Sequence, residues 1–280
     1  HVDFNMGVYY PTHGLGGVVD AMVTVAEDLG VQIETDAPVE AIEGTRGAFT
    51  VRTAGDVYDA EVVVSGADYR HTEMELLAPE DRQHDADYWD GRVYAPSAYL
   101  LYLGVEGDVA PLAHHTLVLP TAWEEHFEEI FDEPAWPTDP AYYLCVPSKT
   151  DPDVAPEGHS NLFALVPIAP GLEDTPELRA SYREQLLADV AEHTGVDLRE
   201  RIVVEEAFCV QDFADRYNAT EGTALGLAHT LRQTALLRPK HRSSAMDGLY
   251  FTGAFTTPGI GVPMCLISGQ LTAEAVAADG

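Results

Sequence analysis

The residues best placed to do chemistry lie near the end of the chain, in the run GLYFTGAFTTPGIGVPMCLISGQLTAEAV from Gly248 to Val276. Leu249 to Thr252 reads as a short apolar strand. Gly253 permits close backbone approach at its end, and Pro258, Gly259 and Gly261 force a tight, side-chain-poor crossing before a helix that begins near Val262. A helix N-terminus presents unpaired N–H groups and a partial charge of about +0.5. It suits an electron-rich ligand edge such as a flavin pyrimidine, whose negative charge grows on reduction. The same pattern also serves a plain strand-to-helix connection in an α/β core, so the pattern alone leaves both readings open.

Other candidates carry less. His114-His115 invites a metal reading, but neighbours on a strand point to opposite faces, and no carboxylate or cysteine cluster is spaced to complete a site; no metal is expected. Asp212, Asp215 and Glu221 could act as bases, a weak signal where carboxylates are everywhere. His13, with an ordinary pKa near 6.5, could shuttle a proton or be a bland turn residue. Cys145, Cys209 and Cys265 are far apart in sequence and read as buried small hydrophobes.

The elements that must position these groups form two textures. Val18, Val19, Met22, Val25, Ala26 and Leu29 repeat at helical spacing, with Gly30 at a left-handed C-terminal cap. Val31–Glu34, Pro38–Ile42, Phe49–Thr53 and Val57–Asp59 read as short alternating segments of a three-stranded meander, and Ala60–Ser65 as a buried parallel strand. From His71 to Thr220 aromatic-rich strands (Tyr94–Val105, Leu117–Pro120, Tyr142–Val146, Leu162–Pro167) alternate with acidic amphipathic helices (Ala122–Asp132, Pro176–His193). Tyr94, Tyr99, Tyr102, Phe131, Tyr142, Tyr143 and Phe163 serve a ligand tunnel and a plain core equally well.

Several of these stretches, in order, resemble the phytoene desaturase family, the bacterial and archaeal carotenoid desaturases within the flavin amine oxidase-like superfamily. YYPTHGLGGVVDA (Tyr9–Ala21), VSGAD (Val64–Asp68), DRYNATEGTALGLAHTLR (Asp215–Arg232) followed by Arg238-Pro239, and the Gly248–Val276 run carry the resemblance across almost all of the chain. It implies an α/β (mixed α+β) fold: an incomplete FAD-binding Rossmann-like domain from residues 1–70 and 220–280, and a substrate domain at 71–219 built on a mixed antiparallel sheet with helical cover. By the same resemblance the cofactor is FAD, walled by Gly253, Ala254, Pro258, Gly259, Gly261, Val262, Pro263 and Met264. Val39, Gly66 and Ala67 flank its adenine end. Tyr10, Pro11 and His13 lie near the ring and an acyclic carotenoid or other isoprenoid substrate, and Arg216 pairs with a carboxylate between the domains.

The family's strand, G-x-G-x-x-G turn and helix for the FAD pyrophosphate do not occur in this sequence. The chain is therefore expected to be the C-terminal portion of a longer desaturase. A flavin-dependent carotenoid isomerase and a silent isoprenoid-binding remnant are the alternatives.

Composition sets outer limits. An apolar content of 46% builds a real core, and 47 acidic against 15 basic residues leave a net charge of −32. That sign argues against nucleic acid. The carboxylates are dispersed over a surface expected to be roughly 12,000 Å² for a compact chain of this mass. Self-repulsion should be felt at a Debye length of ~30 Å in 0.01 M salt and vanish at ~3 Å in 1 M, which is the logic of a halophilic protein. A cytoplasmic protein with peripheral contact at a membrane surface is the expectation.

Overall fold

The computed structural model describes residues 5, 7, 9–11 and 14–280. Two lobes are built around separate cores. Helix α1 (Gly14–Asp28) is closed by Gly30 at φ +83°. A three-stranded antiparallel meander follows, β1 (Val39–Glu43), β2 (Phe49–Thr53) and β3 (Val57–Ala60). Val31–Glu34, expected as a strand, is irregular: its alternation finds no neighbouring strand to bond. Strand β4 (Val63–Ser65) is shorter than the expected Ala60–Ser65, because Ala60 already closes the meander.

The second lobe is a five-stranded antiparallel sheet in the order β6-β7-β8-β5-β9: β5 (Ser97–Glu106), β6 (His115–Val118), β7 (Tyr142–Cys145), β8 (His159–Ile168) and β9 (Ile202–Phe208). Helices α2 (Trp123–Phe131), α3 (Pro176–Thr194) and α4 (Val210–Tyr217) accompany it. Period-two alternation decides which face is dry. Tyr99, Leu101, Leu103 and Val105 of β5 and Leu162, Ala164, Val166 and Ile168 of β8 are buried, and they pack with Tyr182, Leu186, Leu187 and Val190 of α3. The opposite face, including Leu100, Tyr102, Tyr143, Phe163 and Leu165, stays half-buried or exposed. The aromatics grouped in the sequence therefore part company: Tyr99 and Tyr142 fill the core, Tyr102, Tyr143 and Phe163 cluster on the open face with centroids 5.6–5.8 Å apart, and Phe131 is exposed on α2.

The chain then returns to the first lobe. Strand β10 (Leu249–Phe251) pairs parallel with β4, and α5 (Val262–Asp279) follows. Leu249 and Phe251 join Ile42, Phe49, Tyr69, Trp89 and Phe255 in a second core. Tyr69 and Phe251 stack at 3.5 Å. The surface totals 16026 Å², well above the expectation for a compact chain. Part of the excess is visible: α1 has no buried residue, and Leu15, Val19, Met22 and Val25, with Leu29 just after it, are exposed.

Candidate functional site

The loop between β10 and α5 is held from behind by one buried cation. Arg238, 1% exposed, donates to the carbonyls of Thr256, Gln233 and Leu227 at 3.0–3.1 Å and to that of Ala254. A guanidinium has five donors in a fixed fork, so it can satisfy several loop carbonyls that no strand or helix reaches. Burial pulls its pKa below the usual arginine value. Below it, Ser268 of α5 accepts from the Gly253 N–H at 2.8 Å and bonds the hydroxyls of Thr256 (2.7 Å) and Thr252 (3.1 Å). His241 bridges Thr272 and Thr257 at 2.8 and 2.9 Å, and burial ahead of the neighbouring Arg242 charge pushes its pKa down.

His229 presses on the turn. A Cβ added at Gly259 would sit 2.3 Å from its ring, so glycine is required there on steric grounds as well as by φ +126°. The Ile260 N–H donates to His229 Nε2 at 3.3 Å. The first helical bond of α5 is Cys265 N–H to Gly261. Val262 and Met264 therefore stand outside the ladder, and Pro263 between them has no N–H to satisfy.

In front of this helix start lies an open cleft of about 730 Å³ between the lobes. Its first-lobe lining includes Gly66, Ala67, Asp68, Ala254, Gly261 and Val262; α4 of the large lobe contributes Phe213 and Tyr217, and Leu225 also lines it. Asp68, 8% exposed, ties the lobes together: it accepts from the backbone N–H of Thr220 at 2.8 Å and from its hydroxyl at 2.9 Å. Desolvation outweighs these bonds and raises its pKa. A second hollow of about 430 Å³, with Tyr102, Val203 and Val204, opens on the half-bare face of the large sheet.

Of the candidate cofactor residues, Gly66, Ala67, Ala254, Gly261 and Val262 line the cleft together. Gly253 braces it from behind through Ser268. Pro258, Gly259, Pro263 and Met264 shape the turn and first helical residues without facing the cavity. Val39 lies at the start of the meander, away from this cleft. Tyr10 and Pro11 are also elsewhere; the Tyr10 ring meets His114 edge-on at 5.1 Å. His13 lies outside the described residues.

Three readings are corrected. Arg216 is exposed and has no ion pair among the described residues; the lobes are tied by Asp68 and Thr220, and the buried arginine of this block is Arg238. Cys265 is half-buried beside the cleft, whereas Cys145 and Cys209 are buried as expected. The imidazoles of His114 and His115 do not point apart: His114 precedes β6, where strict alternation has not begun, and the two rings lie 4.2 Å apart. The signal for Arg238 was present in Arg238-Pro239, but only the fold shows which carbonyls surround it.

Residues 3–277 match the model of the flavin-containing amine oxidoreductase family. The chain is 69% identical over 280 residues to the carotenoid 3,4-desaturase of Haloarcula japonica, covering all of this chain and 57% of that protein. It is 32% identical to the phytoene desaturase of Neurospora crassa (96% of this chain, 48% of that one) and 32% to the lycopene-forming phytoene desaturase of Pseudescherichia vulneris (98% and 57%). The chain thus spans about half the length of these relatives. Among solved structures, an oxidoreductase from Methanosarcina mazei superimposes with a TM-score of 0.60 at 18% identity (94% of this chain, 55% of that one). Cyclohexylamine oxidase from Brevibacterium oxydans does so at 0.57 and 13% (95% and 53%). At such identities these two likenesses speak for the fold alone.

Proposed function

The chain belongs to the flavin-containing amine oxidoreductase family, and we propose that it forms the ring-facing and substrate-facing part of an FAD-dependent carotenoid desaturase, the C-terminal part of the whole enzyme. The observation that carries this reading is the cleft itself: an apolar hollow whose one wall is a glycine turn and an uncapped helix start, and whose other wall is aromatic. The residues fit a flavin. Gly261 at φ +116° keeps the approach to Val262 clear of side chains, and the Val262 and Met264 N–H groups are free of the helical ladder.

Bound flavin supplies the hydride acceptor that no side chain can be. This chain's own residues have the remaining work. The α5 N-terminus favours negative charge on the ring edge. Phe213, Tyr217, Leu225 and Leu266 keep water from the reacting carbons and hold a polyene by apolar contact. Asp68, an acid in the described lining, is engaged by the N–H groups of His71 and Thr220 and by the Thr220 hydroxyl, which suits a reaction whose chemistry belongs to the cofactor.

For the substrate, the reading is an acyclic carotenoid, and the 69% relative favours the 3,4 position over phytoene. Isomerisation and ligand carriage have no comparable support. Such a substrate partitions into lipid, and peripheral membrane contact is part of the proposal: Trp123, Phe127 and Phe131 form an exposed stacked row on α2. No described helix is long and apolar enough to cross a membrane.

The test is to co-express this chain with the part of the Haloarcula japonica relative that it does not match. The complex is expected to retain FAD and to introduce a double bond into an acyclic carotene when a quinone is offered, and Val262→Trp, which fills the cleft, is expected to lose the flavin. Full flavin retention by that variant sinks the reading.

A further inference from the structure

The half-bare face of the large sheet ends in a cluster unrelated to the cleft. His115 on β6 lies directly opposite Cys145 on β7, Cys145 opposite Phe163, and Phe163 opposite Tyr102. Residues opposed in an antiparallel pair share a face, so the His115 imidazole and the Cys145 thiol project side by side. Sγ of Cys145 is 4.0 Å from Nδ1 of His115. His114, just ahead of β6, brings a second ring to the same place, and one ligand atom from each of His114, His115 and Cys145 lies within 4.8 Å of the others.

The hydrogen bonds prepare His114 as a ligand, while Tyr143 holds Nδ1 of His115. The Thr150 oxygen lies 2.6 Å from Nδ1 of His114 and 3.4 Å from the Pro147 carbonyl, so it can accept from an Nδ1–H of His114. In that tautomer the Nε2 lone pair is free for a ligand. Nε2 is buried without a hydrogen-bond partner, which is costly for a ring nitrogen. A hydrogen bond from the far ring nitrogen is also the usual outer-shell support of a ligating histidine. The Tyr10 ring meets the His114 ring edge-on, and the Tyr143 hydroxyl, 2.5 Å from Nδ1 of His115, would have to yield that nitrogen to an ion.

We propose that His114, His115 and Cys145 form a binding site for a thiophilic d¹⁰ cation, with Zn²⁺ as the ion it takes. Two imidazoles and one thiolate are a donor set this ion favours over the oxygen ligands of Mg²⁺ or Ca²⁺. Zn–N and Zn–S bonds of about 2.0 and 2.3 Å need ligand atoms roughly 3.5 Å apart, so side-chain rotations of about an ångström close the site. Binding displaces the Cys145 thiol proton to solvent and forms the Zn–S bond. The ion would clasp the β6–β7 pair to the Thr150 turn and to the segment carrying Tyr10.

The experiment is a Co²⁺ titration of the reduced 280-residue chain in molar KCl with excess Mg²⁺, which occupies the many surface carboxylates. One equivalent of Co²⁺ should produce a thiolate-to-cobalt charge-transfer band and intense tetrahedral visible bands, both displaced by Zn²⁺. Cys145→Ser should abolish the charge-transfer band and weaken Zn²⁺ by more than the roughly 10–100-fold that an outer-shell loss costs. His114→Gln should weaken Zn²⁺ while keeping a far-ultraviolet spectrum like the parent. Should Cys145→Ser fail to fold, X-ray absorption of the Zn²⁺-loaded parent decides: one sulfur at about 2.3 Å is expected. An oxygen-only shell, or a charge-transfer band that persists in Cys145→Ser, overturns the site. Neither readout involves flavin or turnover, so its failure leaves the desaturase reading untouched.

Discussion

The two lobes close their cores by different means. In the large lobe, one face of a five-stranded sheet is sealed by α3 within a single stretch of chain, and Leu101, Leu144, Val166 and Ile168 are fully buried. In the other lobe, a parallel pair of three-residue strands carries the turn that faces the cleft, while α1 and the Val262, Leu266, Ile267 and Leu271 side of α5 remain open. Parallel strands are stable when covered on both faces, and here the cover is incomplete among the described residues. The lobe with the finer site geometry therefore depends less on apolar burial and more on buried polar ties: Arg238, Ser268, His241 and Asp68.

That contrast can be broken by salt first. With −32 net charges spread over 16026 Å², transfer from molar KCl to ~0.01 M salt lengthens the screening distance about tenfold. Circular dichroism should report loss of structure, and hydrogen exchange should show β4, β10 and α5 opening before β5 and β8. A melting temperature that is flat from low to molar KCl removes the electrostatic premise.

Arg238→Met comes next. It orphans carbonyls at Leu227, Gln233, Ala254 and Thr256 at about 1–3 kcal/mol each, so denaturant unfolding in high salt should show a loss of at least about 4 kcal/mol. A loss under about 1 kcal/mol would mean that the loop does not depend on the cation.

Apolar truncation should then separate the lobes cleanly. Leu144→Ala is expected to cost about 2–5 kcal/mol, whereas Leu15→Ala on the outward face of α1 should stay within about 0.5 kcal/mol. Equal costs would contradict the open-face description.

The smallest effect concerns pH. Burial depresses the His241 pKa in the folded state, so below its ordinary value near 6.5 the unfolded chain takes up a proton that the folded chain refuses. Stability should fall as pH drops through about 6.5, and His241→Gln, which keeps an amide for Thr257 and Thr272, should flatten that slope. An unchanged slope would assign the pH response to other groups, His229 foremost, whose pKa is also lowered by burial and then by Arg238.

Much of this was legible beforehand where local chemistry and fold agree. The alternation in β5 and β8, the helical period of α1 with Gly30, and the glycine turn before α5 all follow from residue type and spacing. Strand β9 was not legible: IVVEEAF places Glu205 and Glu206 mid-strand, and only its pairing with β5 makes it one. Val31–Glu34 shows the converse, an alternating segment with no strand partner among the described residues. Of the residues lining the cleft, Gly66, Ala67, Ala254, Gly261 and Val262 are among those singled out from sequence, while Phe213 is not, because it comes from α4 of the large lobe.

By itself the sequence determined the alternation of elements, the acidity and the backbone shape of the closing turn, since these depend on side-chain volume, charge and φ, which are local. Tertiary structure alone decided which carbonyls surround Arg238, which side of α1 faces out, and that His114, His115 and Cys145 converge. Each of those depends on the register and approach of segments tens of residues apart, and a one-residue slip in β6 against β7 would send His115 and Cys145 to opposite faces.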